Sequence, residues 1–367
     1  MRRSNLQPSW GLLRSARNDT KIREIRGERK FVIDAILEGN PVMPRQLLTY
    51  TVALLILAVL ILLPFTSSSF IVKTLTEVLI FGIFAMSLDL ILGYTGLVSF
   101  GHAAFFGIGA YAAGYFALKI SPNILITLPF ALVVVVLAAL VIGFFSIRAS
   151  GVYFLMLTLA FSQMVYAIAD RWTDVTGGSN GLAGIPRPQI QIAGLQILFE
   201  DTNARYFLVL GFFLISFLLL RWIVNSQFGH VLIGIRENET RLRAIGYNTT
   251  RFKLAAFVIA GLFAGVAGAL YAGFNRFVST GELYWTASGQ VLIMVIIGGA
   301  GTLVGPVLGA ALILLLQNMV SSATDRWPTI MGSIFILFVF VARYGVMGIV
   351  RQIVERISAG VASPAQK

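Results

Sequence analysis

Residues 75–118 read LTEVLIFGIFAMSLDLILGYTGLVSFGHAAFFGIGAYAAGYFAL. Apart from tyrosines, the only ionisable groups in this stretch are Glu77, Asp89 and His102. An apolar run this long cannot be covered by a soluble core. It is long enough for two helices that each need about 20 apolar residues to cross a bilayer. Gly93, Gly96 and Gly101 interrupt it between the two, and irregular backbone at membrane depth survives only when buried in protein or lining a wet cavity. The stretch therefore predicts paired transmembrane helices with a glycine-interrupted connection.

The rest of the chain agrees. Hydrophobic residues make up 57% of the 367 and charged residues 12%, against roughly 25% charged in a soluble domain. Candidate spans fall at 47–65, 75–93, 97–118, 124–147, 152–169, 206–224, 252–274, 290–299, 303–322 and 330–350, the eighth being short unless it begins near Tyr284. The fold class is all-α: a polytopic transmembrane helix bundle of about ten spans with Gly-interrupted helices. With the basic N-terminal tail placed inside, ten crossings return the C-terminal tail inside too. Arg148, Arg221, Arg236, Arg241, Arg243, Arg251 and Lys253 then lie on the inner side, and most Lys and Arg follow the positive-inside rule. The domain reading is a basic cytoplasmic tail at 1–46, a transmembrane domain at 47–350 and a cytoplasmic tail at 351–367. Two polar loops stand out, 170–205 outside and 225–251 inside. Residues 24–38 can form a short amphipathic surface helix or a dispensable extension.

Several chemistries are excluded. There are no cysteines and two histidines, His102 and His230, far apart. No soft-metal site is expected. The net charge of +12 fits loops facing anionic lipid headgroups rather than nucleic acid, because the basic residues are not interleaved with aromatics on a polar domain. No G-x-x-x-x-G-K-[ST] occurs, so the sequence carries no P-loop for ATP. No enzyme activity and no cofactor are expected.

What remains points to solute movement. Glycine clusters at 93–109 and 298–305 interrupt spans in both halves, a sign of a solute path. Stripes at Gly301, Gly305 and Gly309, and at Gly261, Gly265 and Ala269, suit close helix packing. Glu77 and Asp89 are about 18 Å apart along one helix, which sets Glu77 near the outer interface and Asp89 deeper. Asp89 either caps backbone N–H groups of the following segment or helps bind an ammonium. His102 reads as a hydrogen-bonded packing residue or a ligand group. In the inner loop, Glu237 with Arg241 and Glu239 with Arg243 form i, i+4 pairs in the favoured order, and Gly246 can stop that helix. Such a helix either docks into a partner or is simply solvated.

Three motifs carry a resemblance to a known family. They are the run 87–111, SLDLILGYTGLVSFGHAAFFGIGAY; residues 176–182, TGGSNGL, with Gly184-Ile185-Pro186; and Ile235-Arg236-Glu237-Asn238-Glu239 with Arg243-Ala244-Ile245-Gly246-Tyr247 and Lys253-Leu254-Ala255-Ala256-Phe257. Over roughly 47–350 the chain resembles the LivM-type permeases of branched-chain amino-acid ABC importers. The resemblance implies an inner-membrane assembly of this chain, a LivH-like second permease, two cytoplasmic ATPase subunits carrying ATP and magnesium, and a periplasmic substrate-binding protein. It implies that Asp89, Gly93, Gly96, Gly101, His102, Phe105 and Gly109 belong to the substrate pathway. Arg236, Glu237, Glu239, Arg241, Arg243 and Gly246 would belong to the ATPase-coupling loop. The loop at 170–205 would meet the binding protein. Urea or short-chain amide permeases of similar architecture stay open as alternatives, as does an ion-coupled secondary transporter using Asp89, or a passive channel.

Overall fold

The computed structural model describes residues 45–192, 195–341 and 345–348; most of the two tail segments expected at 1–46 and 351–367 lies outside them. The chain divides into two units, residues 1–63 and 64–367. The helix α1 (Arg45–Thr66) begins in the first unit and ends in the second.

The second unit is a helical bundle. Its helices are α2 (Ser69–Asp89), α3 (His102–Lys119), α4 (Ile124–Ser146), α5 (Val152–Arg171), α6 (Thr202–Val224), α7 (Gln227–Ala244), α8 (Thr249–Asn275), α9 (Trp285–Gly298), α10 (Val304–Ala323) and α11 (Trp327–Val341). Among the described residues, six helices are long and apolar enough to cross a membrane: α2 with the turn that extends it, α4, α5, α6, α8 and α10. Shorter apolar helices are Leu54–Thr66, Trp285–Gly298 and Trp327–Ile336.

Burial sorts these helices. The most apolar window of α2 is 78% buried and that of α8 is 61%, whereas those of α4 and α5 are 28% and 22%. α2 and α8 are thus the inner pillars. α4 turns Phe130, Val133, Leu137 and Phe144 outward, a surface that only lipid tails can solvate without cost. α3 is mostly buried, although its glycines, alanines and two tyrosines make it less apolar than its neighbours. Small residues let it approach α8 at backbone distance. A Cβ on Gly109 would stand 2.5 Å from the Gly265 carbonyl oxygen, so the interface admits no side chain there. The Gly261 and Gly265 stripe meets Ala139 and Val135 of α4, and Gly305 and Gly309 meet the backbone of α9.

Two segments depart from simple spans. α2 ends in a π-helical turn, Leu90–Tyr94, and the chain does not resume helix until His102. The third span expected at 97–118 therefore starts later. Residues 95–101 instead run as irregular backbone, and several of their N–H groups find acceptors within the protein. Gly96 and Leu97 N–H donate to the Leu92 and Ile91 carbonyls. Phe100 N–H donates to Thr158 Oγ1, and Gly101 N–H to Ser99 Oγ. The first turn of α3 is capped from a distance by Ser288 Oγ, which accepts from Ala103 N–H at 2.8 Å. The second departure is the 3-10 turn Thr280–Leu283, which packs against α3 at Gly107 and leads into the short α9.

The expected all-α class gains four short strands. In the 170–205 connection, β2 (Gln189–Ile192) pairs antiparallel with β3 (Leu195–Leu198). The two-residue strand β1 (Leu182–Ala183) pairs with β4 (Phe277–Val278), tying this loop to the connection after α8. Gly181 sits where a Cβ would stand 2.5 Å from the Val278 carbonyl oxygen, at a positive φ, so the TGGSNGL motif serves this tight contact.

Candidate functional site

The two glycine clusters meet at Asp89. Its side chain is fully buried. Oδ1 accepts the Gly301 N–H at 2.6 Å and Oδ2 accepts the Leu303 N–H at 3.1 Å. Asp89 therefore caps backbone donors, but those of the loop that starts α10, 212 residues on, and not of the segment that follows it. That loop needs such support. Gly299, Gly301 and Leu303 all have positive φ, and Leu303 is strained there because a branched side chain crowds the left-handed region. A buried carboxylate accepting two backbone N–H bonds is well placed to hold it.

Gly93 lies in the π turn, directly against this loop. An added Cβ would collide with Asp89 Oδ1 and the Gly301 nitrogen. Opening of the helical ladder by the π turn fits with the free Gly93 carbonyl. That carbonyl accepts from the Arg236 guanidinium of α7, across 143 residues. Arg236 also pairs with Glu237 at 3.0 Å, and its stem packs on Gly96. One arginine thus joins the polar helix α7 to the break in α2 and to the Asp89-held loop.

α7 is two helical pieces. Asn238 is extended (φ −164°, ψ 93°) and its Oδ1 accepts the Arg241 N–H at 2.9 Å, which makes it the N-cap of a second short helix. This break corrects the expected Glu237–Arg241 pair. The two residues fall on different pieces, and Glu237 turns to Arg236 instead. The Glu239–Arg243 pair forms, at 2.6 Å. Glu239 Oε1 further accepts from Thr249 Oγ1 at 2.9 Å and from the almost buried Lys253 ammonium at 2.9 Å. Burial works to raise the Glu239 carboxyl, but hydrogen bonds from Lys253 and Thr249 and the charges of Lys253 and Arg243 outweigh it and hold it below the usual glutamate range. The helix ends at Gly246 as its composition predicts. Gly246 N–H donates to the Arg243 carbonyl and Tyr247 N–H to the Leu242 carbonyl, with Gly246 at φ +95°, the two bonds of a Schellman motif. Arg241, Ile245 and Tyr247 are left exposed.

The other expected pathway residues lie apart from this junction, inside the bundle. His102 is fully buried, bonded through Nε2 to Ser87 Oγ at 2.8 Å and stacked on Phe84 at 5.5 Å. Phe105 is buried edge-on to Phe257 at 5.3 Å. Gly101 abuts the Thr158 backbone and Gly109 that of Gly265. Thr158, Ser288 and the 299–303 loop were not foreseeable as partners, because each acts across a large sequence separation. Lys253 stood in the third motif, but its partner did not show. Among the described residues no cluster of three His, Cys, Asp or Glu is arranged to hold a metal.

A model of the family described as branched-chain amino acid transport system / permease component matches residues 70–343. The high-affinity branched-chain amino acid transport system permease protein LivM of Salmonella typhimurium is 29% identical over 343 residues, 88% of this chain and 79% of the relative. The LivM of Escherichia coli is 28% identical over the same shares. The probable branched-chain amino acid transport permease protein LivM of Methanocaldococcus jannaschii is 25% identical over 268 residues, 62% of this chain and 74% of that protein. No solved structure matches the chain. The family match spans the π turn, α7 and the Asp89-held loop together, and the chain belongs to the family of permease components of branched-chain amino acid transport systems.

Proposed function

We propose that the chain is one of two membrane subunits of an ATP-driven importer that carries branched-chain amino acids across the inner membrane. The observation that carries this reading is the junction of Arg236, Gly93, Asp89 and Gly301. It connects a polar, outward-facing helix to the irregular backbone of the bundle. In this reading residues 225–251 lie in the cytoplasm and α7 seats on an ATPase subunit through the exposed Arg241, Ile245 and Tyr247. When two ATPases close on ATP and magnesium, α7 shifts as a body. Arg236 pulls on the Gly93 carbonyl, and Asp89 carries the displacement to the start of α10. Packed interfaces switch between arrangements rather than deform, so a small shift is passed on. Glu239, held by Lys253, Thr249 and Arg243, keeps the second piece of α7 fixed to α8, so both helices move together.

The six long apolar helices, the three shorter ones and α3 supply the about ten crossings, with both ends inside, that the charge distribution favours. Residues 170–205 then face the periplasm, where a binding protein delivers substrate, and a second permease subunit completes the path. Asp89, Gly93 and Gly96 lie at its cytoplasmic end. Gly101, His102, Phe105 and Gly109 shape its wall from behind. Co-purification tests the docking step. Arg241→Glu, a change at an exposed position, is expected to strip the ATPase subunits from the complex while membrane insertion stays normal. Unchanged ATPase recovery would refute docking through α7.

A further inference from the structure

α4 and α6 turn Phe130, Leu137, Leu218 and Trp222 outward, as a lipid-facing wall should. Partly exposed positions on α2, α8, α9 and α10 instead carry Glu77, Tyr271, Gln290 and Gln317, joined by Glu282 on the 3-10 turn before α9. Gln290 Nε2 donates to Gln317 Oε1 at 3.1 Å, and Tyr271 Oη donates to Glu282 Oε1 at 2.8 Å. Glu77 stands one helical turn before Phe81, whose ring lies 6.2 Å from that of the same tyrosine. Among the described residues neither carboxylate has a cationic partner within ion-pair distance. Two carboxylates that face the bundle with no cation beside them favour a positively charged guest.

An independent observation points to the missing partner. The 3-10 turn packs on α3 at Gly107, and one turn along that face stands Tyr111. Its side chain is 6% exposed, and among the described residues its hydroxyl has no hydrogen-bond partner. Buried hydroxyls are almost always paired, so the orphan hydroxyl of Tyr111, one helical turn from the contact between α3 and the Glu282 turn, can take a donor. The rings of Phe81 and Phe106 lie 6.2 Å and 5.3 Å from Tyr271 and give an apolar, π-rich border.

We propose that Glu282 and Glu77, with Tyr271 and Tyr111, recognise the primary ammonium group of the transported amino acid. An ammonium brings one charge and three donors, which two carboxylates and the Tyr111 oxygen can share. The neighbouring Phe81 and Phe106 rings suit both a cation and an aliphatic side chain. The site rests on the import reading and adds to it where the substrate is held and by which group.

The test uses the full importer with its partner subunits in proteoliposomes, with L-leucine as the probe. Glu282→Gln keeps an acceptor for Tyr271 and preserves shape, so the complex should assemble as before. Leucine uptake should fall about tenfold or more, the scale of one lost charge-assisted hydrogen bond. Glu77→Gln, nearer the surface, should lower uptake to a smaller degree. 4-Methylpentanoate, which is leucine without the ammonium, should not compete. Wild-type uptake in both variants, or effective competition by 4-methylpentanoate, would overturn the site alone. Absence of ATP-driven leucine uptake by the wild-type assembly is a different result and would overturn the import reading together with it.

Discussion

Asp89 gives the sharpest quantitative expectation. Both oxygens accept a backbone N–H, and the residue is fully buried. A hydrogen bond to a charged group contributes roughly 1.5–3 kcal/mol. Asp89→Ala removes two and strands the Gly301 and Leu303 N–H groups, for a loss of about 3–6 kcal/mol. Asp89→Asn keeps one acceptor but turns an NH2 toward the other donor, for a loss of about 1.5–3 kcal/mol. The loop it releases contains three residues at positive φ, two of which, Gly301 and Leu303, donate their N–H groups to Asp89. In detergent-solubilised protein, Asp89→Ala should lower the melting midpoint by about 6 °C or more, with Asp89→Asn between it and the wild type. The ordering matters as much as the size. Asp89→Ala melting with the wild type, or Asp89→Asn melting below Asp89→Ala, would refute the capping role and return Asp89 to the substrate.

Three further outcomes follow from the same contacts. Glu239 is held below its ordinary pKa of 4.5, so its contribution is complete above that pKa and is lost as the pH falls through the lower folded value. Amide exchange over residues 239–250, corrected for its intrinsic pH dependence, should rise in that acidic window, and Glu239→Gln should show faster exchange already at neutral pH and no acid step. Gly109→Val places atoms on the Gly265 backbone and should destabilise α3 against α8 by about 3 kcal/mol or more, seen as lost monodisperse protein on gel filtration; normal recovery would contradict the close approach. Arg236→Ala should leave ATP hydrolysis by the complex within about twofold while leucine moved per ATP falls several-fold, the scale expected when one coupling contact is removed; an unchanged ratio would contradict transmission through the Gly93 carbonyl.

Apolar length and glycine placement made the bundle legible. α9 begins at Trp285, where the eighth run had to be extended to reach a useful length, and Gly246 ends α7 as its spacing predicts. Local signals failed where a distant group decides the structure. Asp89 stands one turn before Gly93, which suggests a cap for the next segment, yet its donors come from a loop near the far end of the chain. The Glu237–Arg241 spacing is correct for a continuous helix, and Asn238 breaks it by capping the second piece. The third span starts later than expected because Thr158 and Ser99 take the N–H groups of Phe100 and Gly101, and Ser288 caps the helix at Ala103. The hairpin was written in the alternation of Gln189-Ile190-Gln191-Ile192, a period of two inside a segment whose polarity drew attention to its location instead. Of the candidate site, the Glu239–Arg243 pair was readable from charge spacing. The bond from Arg236 to Gly93 was not, because a backbone carbonyl near a helix end has no signature in side-chain pattern.

The measurement that tests the central claim most directly is leucine accumulation in proteoliposomes that hold this chain with its second permease, ATPase and binding-protein partners, with ATP at the ATPase face and a protonophore present. The account predicts uphill leucine accumulation that requires ATP and the binding protein and survives the protonophore. Accumulation by this chain without ATP that collapses with the protonophore would contradict it, and ATP-driven uptake of urea in place of leucine would contradict the substrate.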